Sequence, residues 1–211
     1  MSPRAEQKQQ TRQALMDAAR GLMDSGRGFG SLSLREVSRT AGIVPTGFYR
    51  HFQDMDELGL ALVAEVDATF RSTLREVRRS QFEMGSIIEA SARIFLDAVS
   101  ANRNQFLFLA REQYGGSQPV RQAIGRLRQQ ITDDLAADLK LMNRTPHLND
   151  AALDVVSDLV VKTVFATLPE LIDPPSASLP AHLTPEAKMI QQLRFIFIGA
   201  KHWHGLGQGR D

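Results

Sequence analysis

Residues 32–58, LSLREVSRTAGIVPTGFYRHFQDMDEL, decide the fold of this chain. Ser33 with Glu36 three residues on is a capping box, which predicts a helix running through Arg39. Ala41-Gly42 signals a turn. Pro45 suits the first turn of the next helix, which is expected to reach about His51. Asp54 and Glu57 repeat the capping pattern with Asp as cap. A long helix then follows, with Leu58, Leu62, Val66, Phe70, Leu74 and Val77 on one face. Two short helices joined by a glycine-containing turn have the geometry that fits a helix into the DNA major groove.

In that reading Leu32, Leu34, Val37, Ala41, Ile43, Phe48 and Phe52 form a small core. Pro45, Thr46, Gly47, Tyr49, Arg50 and His51 then remain free to meet DNA. Arg grips guanine bidentately, Thr touches a thymine methyl, and Tyr and His bind phosphate oxygens. Gly47 lets the backbone approach closely. Ser33 and Arg35 stand at the start of the bracing helix, where amides and dipole favour a phosphate. The competing reading is an ordinary helical hairpin with a solvated basic face. Against it, the capping box, turn and helix start fall in register, and no acid occurs from Ser38 to Gln53.

Charge placement agrees. Residues 1–53 hold eight Arg/Lys against four Asp/Glu, a balance of +4. Residues 54–211 hold seventeen against twenty, a balance of −3. A basic quarter on a mildly acidic body suggests a polyanion-binding head. The hydrophobic fraction of 43% in 211 residues provides for a packed core. Cys is absent, which excludes disulfides, zinc-thiolate sites and thiol catalysis and fits a reducing cytoplasm. No apolar run approaches ~18 residues, so no membrane span is expected. The polar start MSPRAEQKQQTR lacks the apolar run of a signal peptide.

Working outward, residues 5–25 carry a helical stripe of Leu15, Ala18, Ala19, Leu22 and Met23, ended by Gly26, Gly28 and Gly30. Further helices are predicted at 85–101, 104–113, 119–142, about 150–169 and 185–204. A break spans Asn143 to Asn149, and Thr184 and Pro185 open the last helix. Residues 206–211 are expected to be a disordered tail. With no credible strand and no repeat, the chain reads as all-α with about nine helices.

The head resembles the DNA-binding domain of TetR-family regulators. Ser33, Leu34, Arg35, Val37, Ala41, Gly42, Tyr49, His51, Phe52 and Leu58 carry the match. One departure is Met55, where many members hold a phosphate-binding lysine; Arg50, the N-terminal arm or backbone amides would have to replace it. Over more of the length, RAEQKQQTR, SLSLREV, AGIVPTGFYRHFQDMDELGL and FLFLAREQYGGS are similar to the DesT/FabR-like regulators of unsaturated fatty acid synthesis. The resemblance implies a helix-turn-helix DNA-binding domain at 1–53. It implies a ligand-binding and dimerisation domain at 54–205, with helix 54–80 as connector. It further implies a cytoplasmic homodimeric repressor on a double-stranded palindromic operator. The implied effector is a long-chain acyl-CoA of the palmitoyl-CoA or oleoyl-CoA type, the unsaturated ester favouring DNA binding and the saturated one release.

Phe106, Leu107, Phe108 and Leu109 are consecutive, so their helix is buried on several sides or lines a cavity. Residue types alone favour core; the resemblance favours an acyl slot. Such a slot would gain roughly 0.8 kcal/mol per buried CH₂. Candidate ligand contacts are Phe95, Phe106, Phe108, Leu109, Arg111, Phe165, Leu168 and Trp203. Arg111 would join Arg103, Arg121 or Lys201 in meeting the nucleotide phosphates, although each is more often a solvated charge. Val160, Val161, Val164, Phe197 and Ile198 give the last two helices two apolar faces, one inward and one toward a partner.

Catalytic chemistry is not evident. His51, His147, His182, His202 and His204 form no metal set with nearby acids, and no phosphate loop, nucleophile elbow or dinucleotide fingerprint occurs. No catalytic residue, catalytic cofactor or metal ligand is expected. The alternatives are a repressor answering another hydrophobic ligand, such as a multidrug-efflux regulator, and more remotely an acyl-CoA-handling enzyme.

Overall fold

In the computed structural model, which describes residues 3–24, 26–79, 87–143, 146–174 and 180–204, helices start where their caps stand. Ser33 Oγ accepts the Glu36 N–H at 3.2 Å, and Glu36 Oε2 accepts the Ser33 N–H at 3.0 Å. That reciprocal pair opens α2, Leu34–Thr40. Asp54 Oδ1 accepts the Glu57 N–H at 2.8 Å and Glu57 Oε2 the Gln53 N–H at 2.6 Å, opening α4, Met55–Arg79. Asn149 and Thr184 cap α8, Asp150–Ile172, and α9, Pro185–Lys201. Each cap satisfies an amide that the first helical turn leaves without a partner.

The remaining helices are α1, Pro3–Asp24; α3, Pro45–Phe48; α5, Ile87–Ala101; α6, Arg103–Glu112; and α7, Gln118–Met142. Single 3-10 turns lie at Phe29–Ser31 and Ala181–Leu183. The described residues therefore form an all-α chain of nine α-helices, as expected. Three ends differ from expectation. α3 stops at Phe48, because the Arg50 and His51 amides bond to Gly47 and Phe48 carbonyls as tight turns. α8 continues through Pro169 to Ile172. α9 stops at Lys201, where the His202 amide turns back to Ile198 and Gly199. Residue 80, residues 85–86 and the expected tail at 206–211 lie outside the described residues.

The chain divides into two compact units that do not follow chain order. The first comprises Met1–Arg75 with Ala98–Gly125; the second comprises Glu76–Asp97 with Arg126–Asp211. The expected boundary between residues 53 and 54 thus falls inside the first unit, because α6 buries its apolar side there with the head.

In the first unit Leu15, Ala19, Val37, Phe48, Phe52, Leu58, Leu62, Val66, Phe106, Phe108 and Leu109 are buried. Phe29 meets Phe108 edge-on at 5.7 Å between centroids, and Phe70 meets Phe106 at 5.4 Å. Gly26 ends α1 at φ +91° and Gly42 makes the α2–α3 turn at φ +70°, a region that glycine enters without steric cost. In the second unit Ala92 of α5 packs with Met189 and Leu193 of α9, joined by Phe95, Val160 and Val164. Leu148, Leu153, Val156 and Ala200 form another cluster with Leu139 and Phe197. His147 Nε2 lies 2.9 Å from the Ala200 carbonyl oxygen, near the end of α9.

The cap of α2 carries a pH dependence. A hydrogen bond from Arg27, at 3.0 Å, and then those from Ser33, lower the Glu36 carboxyl from 4.5 to about 2. A depressed carboxylate stabilises the fold fully above its unfolded value and loses that contribution as pH falls through its folded value. The acid limb of the melting temperature against pH is therefore expected to steepen between about 4.5 and about 2. Glu36→Gln should flatten it; an identical acid limb in both proteins would refute this role.

Candidate nucleic-acid interface

The outward face of α3 follows from what holds its inward face. Phe48 and Phe52 are both buried, with centroids 5.6 Å apart. With those two residues pinned, Pro45, Thr46, Tyr49 and Arg50 project into solvent, and His51 is half-buried. Tyr49 is 64% exposed although its ring sits edge-on to Phe48 at 6.0 Å. An aromatic held by one neighbour and otherwise wet suits a surface that a partner covers. Ser33 and Arg35 are exposed at the start of α2. Gly47 faces inward: a Cβ there would come within 2.7 Å of Ile43 Cγ2, so its smallness serves the turn packing. Between α2 and α3 runs an open groove of about 540 Å³ lined by Arg35, Glu36, Arg39, Gly42, Ile43, Val44 and Pro45.

Three residues absent from the sequence reading belong to this surface. Val44, 67% exposed, precedes α3 and presents a methyl-bearing side chain beside Pro45. Arg39 lines the groove. Arg12 of α1 donates from Nη1 to the His51 carbonyl at 2.8 Å and lies 4.1 Å over the Phe52 ring, a hydrogen bond and a cation–π contact in one side chain. Arg4, Lys8 and Arg12 recur every four residues along α1, the one pattern that pointed to this clamp. Burial first, then the charges of Lys8, Arg12 and Arg50, push His51 below its ordinary value. Met55, half-buried at the start of α4, sits among Asp54, Asp56 and Glu57, where a lysine could have met phosphate.

The expected ligand contacts separate between the units. Phe106, Phe108 and Leu109 are buried in the first unit. Arg111 Nη1 there donates to the Met23 carbonyl at 2.5 Å and the Arg27 carbonyl at 3.4 Å. Arg103 pairs with Asp24 at 2.7 Å, and Arg121 donates to the carbonyls of Gly115 and Gly116. These arginines already have protein partners. In the second unit Phe165 and Leu168 are buried and Phe95 is partly buried, while Trp203 is half-exposed beyond α9. Lys201 lines an open depression with Ile88, Glu89, Arg194, Phe197 and Ile198. Val155 and Leu159 of α8, four apart, are exposed; so are Phe195, at 76%, and Ile198 of α9, three apart.

A family model described as bacterial regulatory proteins, tetR family, matches residues 15–62. A second, described as tetracyclin repressor-like, C-terminal domain, matches residues 84–199. Among solved structures, a TetR-family regulator of Syntrophomonas wolfei superposes with a TM-score of 0.70 at 13% identity, covering 91% of this chain and 95% of that one. FadR of Bacillus subtilis, solved with stearoyl-CoA, gives 0.67 at 12% identity, covering 87% and 96%. FadR of Thermus thermophilus, solved with lauroyl-CoA, gives 0.58 at 16% identity, covering 95% and 99%. At these identities the likeness is one of fold.

Tyr49→Ala is expected to weaken duplex binding by about 1 kcal/mol, near fivefold, the order of one lost hydrogen bond. The fold and oligomeric state should be unchanged, and titration of a fluorescent duplex beside analytical ultracentrifugation reads affinity and mass. Unchanged duplex affinity would remove Tyr49 from the contact surface.

Proposed function

The chain belongs to the TetR family of transcriptional regulators, and from that premise we propose that it is a homodimeric repressor whose effector is a long-chain acyl-CoA. The outward face of α3 carries the DNA-binding half. Tyr49, Thr46, Pro45 and Arg50 are exposed with His51 beside them, on a helix anchored by Phe48 and Phe52. Arg35 adds a phosphate contact on one side, beside Ser33, whose amide and hydroxyl both donate to Glu36, and Gly47 keeps the turn close. Two such helices related by a twofold axis would read half-sites about 34–36 Å apart.

The partner is a second copy of the chain. Val155, Leu159, Phe195 and Ile198 form an exposed apolar face on α8 and α9, the kind of patch a monomer in water rarely leaves uncovered. Phe195→Glu is expected to convert the dimer to monomer at micromolar concentration, seen as halved mass in sedimentation.

An acyl-CoA effector is supported by the two FadR structures of this fold, solved with stearoyl-CoA and lauroyl-CoA. Phe95, Phe165 and Leu168 are the residues proposed for the acyl chain. Phe106, Phe108, Leu109 and Arg111 serve the head instead, through the partners described above. Regulation of unsaturated fatty acid synthesis, as in the DesT/FabR-like group, is the most specific form of the proposal. There, the unsaturated ester strengthens operator binding and the saturated one releases it. A kinked and a straight chain fill one slot differently, which is how chain shape becomes a change in affinity. Operator affinity with oleoyl-CoA and with palmitoyl-CoA is expected to differ by about 5–150-fold. Equal affinities would sink the effector claim and leave the repressor standing. Equal potency of free fatty acid would favour a regulator of another hydrophobic ligand, and turnover of the acyl-CoA would favour an enzyme.

A further inference from the structure

The segment Phe106–Ser117, FLFLAREQYGGS, is not used by the DNA-facing surface, yet it grips the head at several points. Arg111 donates to the Met23 and Arg27 carbonyls around the end of α1. Glu112, 2% exposed, accepts the Phe29 N–H on Oε1 at 2.7 Å. Ser117 Oγ donates to Asp56 Oδ1 at 2.7 Å. Gly30 and Gly116 are neighbours, since a Cβ on Gly30 would lie 3.7 Å from Gly116 Cα, an ordinary van der Waals contact.

Phe29 is the centre of this seat. Its ring lies against Phe108 of α6. On α4, a Cβ at Gly59 would come within 2.9 Å of the Phe29 ring and 2.5 Å of Val120 Cγ2, so only glycine leaves room. Phe29 belongs to the connector between α1 and α2, and Leu32 and Ser33 follow it directly into the helix-turn-helix.

Glu112 is a poor choice for stability alone. Its Oε2 has no hydrogen-bond partner among the described residues. Burying a carboxylate with one oxygen unsatisfied is costly even beside the bond it makes to the buried Phe29 amide. Gly115 is shaped to the carboxylate: a Cβ there would collide with it, reaching 2.7 Å from Cδ. What Glu112 supplies, and an apolar residue cannot, is a fixed acceptor for one backbone amide of the connector.

We propose that Glu112 is a positioning residue for operator binding. Its carboxylate fixes the Phe29 amide, and so sets the pitch at which α2 and α3 leave the connector to enter the major groove. The inference rests on the DNA-binding half of the function above and not on the effector.

The test uses the full chain and a duplex enriched from a random-sequence pool by the wild-type protein. Affinity is measured at a temperature where circular dichroism shows every variant folded. Glu112→Gln keeps an acceptor oxygen and should bind within about twofold of wild type. Glu112→Ala and Gly115→Ala, neither of which alters the DNA face, should each weaken binding roughly tenfold. The double variant should be much closer to Glu112→Ala than to the sum of the two losses, because the carboxylate that Gly115→Ala displaces is already gone and only the contact with Glu112 Cα at 3.1 Å remains. The Phe29 amide should exchange with deuterium faster in both single alanine variants and stay protected in Glu112→Gln. Folded Glu112→Ala and Gly115→Ala proteins that bind like wild type would overturn the proposal, and so would a loss confined to melting temperature. If Glu112→Ala does not fold, Gly115→Ala against Glu112→Gln decides the matter alone. Failure of the wild type to enrich any duplex would overturn the repressor reading itself, and this inference with it.

Discussion

A recognition helix of one turn cannot hold itself together in water. α3 spans only Pro45–Phe48, and fixing a first helical turn costs more backbone freedom than its single hydrogen bond returns. Its shape is therefore imposed from outside. Gly42 turns the chain into it at φ +70°. Phe48 and Phe52 anchor it inward, and Arg12 holds its far end through the His51 carbonyl and the Phe52 ring. The proposed contact residues project outward because these constraints leave them nowhere else to go. Much of the first unit can be understood as a mount for that one turn.

The mount also explains where charge is placed. Asp54, Asp56 and Glu57 suit the positive end of the α4 dipole, and Asp54 caps the Glu57 amide. The same acids disfavour a phosphate there, and Met55 offers it no donor. Cations gather elsewhere: Lys8, Arg12 and Arg50 are near enough to His51 to add to the lowering that burial begins. The start of α4 is thus tuned for helix stability and the α1–α3 edge for anions, two demands that one helix end meets poorly together.

Local chemistry was legible in the sequence, and long-range partnership was not. The caps at Ser33, Asp54 and Thr184 and the glycine turn at Gly42 each act within four residues, so reading them needs no knowledge of the fold. The FLFL run announced burial on several sides or a cavity lining, and its four residues are buried. That α6 serves the head was hidden, because Arg111 lies more than eighty residues from its partner Met23, and Glu112 as far from its partner Phe29. Tyr49 to His51 were expected to be helical; tight three-residue hydrogen bonds took over once Phe48 was buried. Val44 escaped notice because an exposed valine has no local signature.

The discontinuous first unit bears on how the protein is made. Residues up to Arg75 leave the ribosome about fifty residues before Gly125, the end of the segment they pack with. At roughly 5–20 residues per second, that interval is a few seconds. During it the nascent head carries Phe29 without Phe108 and Gly59 without Val120. Its apolar underside stays open until the later helices emerge. The seat is complete only when α6 and the start of α7 have been made: a chain truncated before α6 has a helix-turn-helix in sequence but lacks Phe108, Glu112 and Val120 against it.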